Sequence, residues 1–213
     1  MEKPNIILIG GGGHCKSCID VIEQENKFNI AGIVDSKNRI GQRILGYPII
    51  GCDEDLKELN SKFGFFLITI GQITTPELRK KIFKEIKELG GNFPLIISPN
   101  SYVSKSAKIG NGTIVLHGTI INADSQIGEN CIINTGSIIE HDSIIYDNCH
   151  ISTRVTINGN CIIKNGTFIG SGSILNQRVS IAKNCIIGSG SLVLKNILTE
   201  GSTSHGTPSK TIS

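Results

Sequence analysis

From Val103 to Val193 every sixth residue is aliphatic, sixteen anchors without a break, among them Val115, Ile133, Ile139, Ile151, Leu175 and Ile187. A period of six fits neither an amphipathic helix nor an alternating strand. It fits a solenoid in which each unit is a short strand plus a corner, and three units close one triangular coil of eighteen residues. Four residues after each anchor the side chain is small (Ala107, Thr113, Thr119, Ser125, Cys131, Ser137 and onward to Ser191). The second and third positions after each anchor are rich in Asn, Gly, Asp and His, residues that tolerate the left-handed backbone of a tight corner. The expectation is an all-β parallel β-helix with the anchors stacked inside.

The fifth position after each anchor points outward. Taken one coil apart, one column reads Ile114, Ile132, His150, Phe168, Ile186 and a second reads Ile120, Ile138, Thr156, Ile174, Leu192, whereas a third contains Lys108, Gln126 and Ser180. Two apolar outer stripes are costly in water and predict a prism packed against copies of itself, most simply as a closed homotrimer. His150 interrupts one such stripe. His141 lies on a corner, between Glu140 and Asp142, one side of the triangle away. Across a trimer boundary His141 of one protomer would approach His150 of the next. An imidazole ordinarily titrates near 6.5, and a neighbouring carboxylate orients it and raises its basicity, which suits a general base. A corner histidine that merely tolerates the turn is the alternative. "IGSGS" at 169–173 and again at 187–191 stacks on consecutive coils. There Gly170, Ser171, Gly188 and Ser189 are expected to leave backbone amides open to an extended ligand, or simply to be good corner residues.

Residues 5 to 97 have another rhythm. "NIILIG" reads as a buried strand, "GGGGH" as a tight loop and "CKSCIDVIEQEN" as a helix, followed by "NIAGIVD", "FGFFLITIG", a helix through "TPELRKKIFKEIKELG", and "NFPLII". This alternation predicts a small α/β, Rossmann-like domain over residues 1–97, with the β-helix and a C-terminal tail over 98–213. A glycine-rich turn at a helix start suits phosphate. The dinucleotide pattern G-x-G-x-x-G fails, since from Gly10 and Gly12 its last glycine falls on Cys15, so a nucleotide diphosphate is expected rather than NAD. Gly11, Gly12, Gly13 and His14 in the loop, Asp35 at the end of the second strand, and Gly71 with Gln72 at the end of the third surround one crevice.

The net charge of +3 comes with no basic run and few aromatic residues, which argues against nucleic-acid binding. The apolar start is too short for a signal peptide or a membrane span, so a soluble, cytoplasmic protein is expected. Seven cysteines are an odd number, and Cys131, Cys149, Cys161 and Cys185 share one phase of the repeat, which predicts buried space-fillers rather than disulfides. Cys15 and Cys18 lack a second ligand pair at zinc spacing, so no metal is expected.

A "GGGGH" α/β domain, an unbroken hexapeptide helix containing "IIEHD", and a "HGTPSK" ending resemble the NeuD/PglD-like sugar acetyltransferase family over almost the whole chain. The resemblance implies a left-handed β-helix, acetyl-CoA as co-substrate, and an N-acetyltransferase acting on a nucleotide-linked 4-amino-4,6-dideoxy sugar in polysaccharide or glycan synthesis. O-acetylation of sialic acid or a related activated sugar is the alternative. It further implies His141 as general base, Asp142 as the group raising its basicity, His150 near the thioester, and Gly159 as a further acetyl-CoA contact. Gly170, Ser171, Gly188 and Ser189 would flank the coenzyme, and Gly11 to His14 with Asp35, Gly71 and Gln72 would hold the nucleotide sugar. Arg154 is bulky where relatives often carry a small residue.

Overall fold

The computed structural model describes residues 2–212; Met1 and Ser213, the ends of the two expected spans, lie outside the described residues. In the N-terminal part β1 (Asn5–Ile9), α1 (Gly13–Glu25), β2 (Asn29–Val34), β3 (Arg43–Ile44), β4 (Tyr47–Gly51), α2 (Leu56–Phe63), β5 (Phe66–Ile68) and α3 (Glu77–Glu88) build a five-stranded sheet in the order β3-β4-β2-β1-β5. All neighbours are parallel except β3, which pairs antiparallel with β4. β1 carries four consecutive buried residues, Ile6 to Ile9, as a strand covered on both faces must. The chain order reverses beside β1, so the ends of β1, β2 and β5 open on one crevice. The β3–β4 hairpin and α2 were not anticipated from sequence, because "RILGYPII" and "LKELNSKF" carry only short apolar patterns.

The C-terminal part is a left-handed parallel β-helix of two-residue strands, ended by an antiparallel pair of three-residue strands, Thr203–His205 and Lys210–Ile212. Strands eighteen residues apart pair in register, as Ile138–Ile139 does with Ile120–Ile121 below and Thr156–Ile157 above. Three sheets of six, five and eight strands form the faces of the prism. The repeat starts one unit earlier than expected: Ile96–Ile97, read from sequence as the end of the α/β unit, pairs with Ile114–Val115 of the prism. The anchors from Val115 to Val193 are buried, and most are completely sealed.

The corners are more regular than the sequence suggests. At fourteen successive units, from Gly112 to Gly190, the third residue after the anchor has φ between 54° and 74°. Gly, Asn and Asp occupy twelve of these positions, but Arg154 and Arg178 also adopt it. The small residue that follows does more than fill space. The hydroxyls of Thr113, Ser125, Ser137, Ser143, Thr167 and Ser173 each donate to a corner carbonyl fifteen residues on, at 2.8 to 3.0 Å. The thiols of Cys131, Cys149 and Cys161 make the equivalent contact at 3.1 to 3.2 Å. Buried carbonyls thereby gain partners without widening the column. All seven cysteines are buried and free.

The two parts pack as one body. The stripe of Ile114, Ile132, His150 and Phe168 is covered by the chain's own α/β domain: Ile114 and Ile132 join a core with Cys15, Cys18 and Ile19 of α1. This corrects the expectation that both apolar stripes face other copies. The second stripe remains partly open, with Ile120 37% and Ile174 44% exposed. Among the described residues no helix is long and apolar enough to cross a membrane.

A side chain with a Cβ in the left-handed region costs about 1 to 2 kcal/mol relative to glycine. Replacing exposed Arg178, at φ 64°, by Gly is therefore expected to stabilise the protein by about 1 kcal/mol, read as a higher urea or thermal midpoint. An unchanged or lower midpoint would show that the Arg178 side chain makes a compensating contact.

Candidate functional site

The crevice at the ends of β1, β2 and β5 holds a cavity of about 690 Å³ lined by Gly11, Gly12, Gly13, His14, Asp35 and Gly71, together with Lys37 and Arg39. A close approach explains Gly11: a Cβ there would lie 2.7 Å from Asp35 Oδ2. The Gly11 N–H donates to that same oxygen at 2.7 Å, and Arg39 Nη1 donates to it at 2.6 Å, while Ser36 N–H donates to Oδ1 at 2.6 Å. Burial raises the Asp35 carboxyl, but the Ser36 and Gly11 amides and the Arg39 charge outweigh it and hold the group below the usual range. Asp35 thus first shapes the loop, and the remaining valence of Oδ1 is what it offers a ligand. α1 begins at this loop with no side-chain cap and no acid in its first turn, so no side chain competes with an anion for its leading amides.

Six of the seven residues expected at the nucleotide site line the cavity; Gln72 does not. It is 2% exposed, and its Nε2 donates to the backbone carbonyls of Asn148 at 2.9 Å and Gly166 at 3.3 Å, on the prism. Sequence position alone cannot reveal this, because the partners lie 76 and 94 residues away.

His150 also sits in this seam, 7% exposed. Its Nδ1–H donates to the Gln72 carbonyl at 2.5 Å, which leaves Nε2 to accept from Asn134 Nδ2 at 3.2 Å. Its backbone N–H donates to Thr167. Both ring nitrogens and the amide are therefore occupied within one protomer, unlike the open group expected from sequence. Its ring lies 6.5 Å from that of His14, whose Nε2 is 3.4 Å from Cys18 Sγ. Burial is the main cause that lowers both imidazoles, with Arg79 adding to it: His14 falls to about 3 and His150 to about 4.

His141 is open by contrast. The side chains of His141 and Asp142 are 56% and 51% exposed, and His141 Nδ1 donates to Asp142 Oδ2 at 2.7 Å. That bond leaves the Nε2 lone pair available. Asp142 takes the left-handed corner position, φ 60°, which brings its carboxylate beside the ring. Gly159, one coil on, is buried under the imidazole: a Cβ there would fall 2.7 Å from Cε1 and 2.8 Å from Nε2 of His141. Glu140 instead accepts from Asn122 Nδ2 at 2.9 Å. This corner joins the two faces that the α/β domain leaves uncovered. That domain lies on the His150 face and reaches both of its edges, through Lys87 to Glu129 and Asp20 to His117. His141 is thus across the prism from its own protomer's cavity.

The repeated "IGSGS" turns behave differently from expectation. The amides of Gly170 and Gly188 are not open; they donate to Ile187 and Ser204 carbonyls in the ladder at 2.7 and 2.8 Å. Ser171 and Ser189 are exposed, and Ser171 Oγ is 2.8 Å from Ser152 Oγ.

Sequence reasoning missed a second polar chain. Ser98 Oγ lies 2.5 Å from His117 Nδ1, and His117 Nε2 donates to Asp20 Oδ2 at 2.8 Å. The residue types suggest a nucleophile with its base, yet Ser98 is 1% exposed and its oxygen accepts from the Asn100 amide. No substrate reaches it, and the chain instead ties α1 to the prism. Among the described residues no three His, Cys, Asp or Glu side chains are grouped to hold a metal ion.

Residues 5–86 match the family described as PglD N-terminal domain, and residues 160–195 match bacterial transferase hexapeptide (six repeats). UDP-N-acetylbacillosamine N-acetyltransferase of Bacillus subtilis (strain 168) is 33% identical over 115 residues, 53% of this chain; the match spans about half, 51%, of that protein. PerB from Caulobacter crescentus, solved with CoA and GDP-perosamine, is 30% identical and superposes with a TM-score of 0.90 over 98% of this chain and 97% of its own. The acetyltransferase domain of PglB from Neisseria gonorrhoeae FA1090, solved with acetyl coenzyme A, is 26% identical with a TM-score of 0.91 over 99% and 100%.

The lowered histidines have a consequence for stability. Below pH 6.5 the unfolded chain protonates both imidazoles while the folded chain resists until about 4 for His150 and about 3 for His14. Stability is therefore full above pH 6.5 and falls as pH drops through that window, by up to about 1.4 kcal/mol per pH unit for each group. Urea unfolding at pH 7.5, 6 and 5 measures this, and replacing His150 by Asn is expected to reduce the slope.

Proposed function

The chain belongs to the PglD-like family of sugar acetyltransferases, and on that premise we propose that it transfers acetyl from acetyl-CoA to the amino group of a nucleotide-linked 4-amino-4,6-dideoxy sugar. The nucleotide would occupy the glycine-loop cavity, with its phosphates against the start of α1 and beside Lys37 and Arg39. His141 is the proposed general base. The single observation that carries this reading is the exposed His141–Asp142 pair, in which the carboxylate fixes one ring nitrogen and frees the other.

The chemistry is direct. The sugar amine attacks the thioester carbonyl carbon, a C–N bond forms, and the C–S bond breaks. His141 Nε2 takes the amine proton and the departing thiolate receives it, which leaves CoA as the thiol and the imidazole neutral. No acyl-enzyme is needed, and the four repeat cysteines are sealed inside the column. Because His141 is across the prism from its own cavity, the reaction requires a neighbouring protomer. A closed homotrimer using the open stripe of Ile120, Ile138, Ile174 and Leu192 supplies one, and acetyl-CoA would lie between protomers near Gly159 and the exposed serines 171 and 189.

His141→Ala is expected to lower turnover by about 10² to 10⁴ with the fold intact. Gly159→Ala should lower turnover too, by displacing the ring it underlies, with little change in melting temperature. The rate should rise between pH 6 and 8, as the amine becomes neutral. The reading is tested by assaying acetyl transfer to UDP- and GDP-linked 4-amino sugars against CMP-sialic acid; activity confined to the sialic acid would replace N- by O-acetylation.

A further inference from the structure

We infer that Arg79 is a positioning residue for the nucleotide cavity, holding the end of β5 and an edge of the prism in one fixed relation; the inference rests on the functional reading above. Arg79, on α3, is 1% exposed and among the described residues forms no ion pair. Its Nη1 donates to the carbonyls of Ile68 at 2.9 Å and Ile70 at 2.6 Å, on either side of Thr69 at the cavity wall. Its Nη2 donates to Asn130 on the prism, at 3.1 Å to the backbone carbonyl and 2.7 Å to Oδ1.

The linkage closes on itself. Asn130 Nδ2 donates to Asn148 Oδ1 at 2.8 Å, and the Asn148 carbonyl accepts from Gln72 Nε2 at 2.9 Å. Gln72 follows Gly71, which lines the cavity, so the ring runs from Arg79 through two corner asparagines and returns two residues beyond Ile70. A buried cation without a carboxylate is a costly way to join two domains, and an apolar side chain would fill the volume without that desolvation. What the guanidinium adds is a rigid fork addressing two carbonyls on one side and two oxygens on the other, geometry that an ammonium lacks. Burial lowers the group only to about 10, so it remains charged at neutral pH, beneath a loop suited to an anion. The same charge contributes to keeping His14, in the cavity wall, neutral.

Full-length protein carrying Arg79→Lys or Arg79→Met tests this by calorimetric titration with UDP, GDP and acetyl-CoA, and by amide hydrogen exchange. The expected result is a loss of about ten-fold or more in nucleoside diphosphate affinity for Arg79→Met, an intermediate loss for Arg79→Lys, and acetyl-CoA affinity within about two-fold of the parent. Exchange should quicken at residues 69–73 and not in the inner coils. Unchanged nucleotide affinity and unchanged exchange would overturn the inference, as would equal loss of both ligands, which signals general loosening. If Arg79→Met does not fold, Asn130→Gly cuts the same ring while keeping the left-handed corner, and the same outcomes decide. A parent protein that binds neither diphosphate sinks the functional reading, whereas exchange at 69–73 still decides whether Arg79 holds that segment.

Discussion

The structure depends on one repeated backbone event, a left-handed residue three positions after each aliphatic anchor from Ile109 to Ile187. Each such corner redirects the chain, so that every sixth side chain returns to the lumen and every eighteenth residue stacks on its predecessor. Once the lumen is filled by Ile, Val, Leu and sealed hydroxyls and thiols, it has no room for chemistry. Functional groups are confined to corners and outer faces. That confinement explains why His141 and Asp142 occupy consecutive corner positions, and why the one that carries the left-handed conformation is the aspartate.

Docking of the α/β domain imposes the second level of order. Its helix α1 buries an outer isoleucine stripe, and around that apolar contact runs a rim of polar bonds from Asp20, Gln72 and Arg79 to corners on both edges of the face. The result is a seam in which His14 and His150 are desolvated and neutral while a guanidinium stays charged. An imidazole needs only to decline a proton when buried, whereas the guanidinium has no accessible neutral form and must be satisfied by carbonyls. Electrostatics in the seam therefore favour an anion in the adjoining cavity, and the exposed histidine on the far corner is the one proposed for proton transfer.

Much of this was legible in sequence, for different reasons at different residues. The column was legible because its period is unbroken. The cavity loop was legible because glycines between a strand and a helix have few other uses, and Asp35 because it follows the next strand. The His141–Asp142 pair was legible because adjacent residues on one corner must be close. His150 and Gln72 were not: each looked outward or ligand-facing from its local position, and each is claimed by partners 76 to 94 residues away. The same holds for Ser98, His117 and Asp20, whose mutual approach depends on how α1 lies on the prism. Gly170 and Gly188 were misread in another way, since the coil ladder uses the amides that glycine was expected to leave free.

By itself, then, the sequence determined the column, the α/β alternation before it, and the pairing of His141 with Asp142 on one corner, though not the short β3–β4 hairpin or α2. Those features follow from local backbone preference and from side-chain phase, which a linear string records directly. Only the tertiary structure decided which apolar face the α/β domain covers, which histidine is sealed and which stays open, and which arginine is buried. These depend on how two rigid surfaces meet, and two isoleucine stripes of nearly equal character give the string no means to tell which one is kept within the protomer.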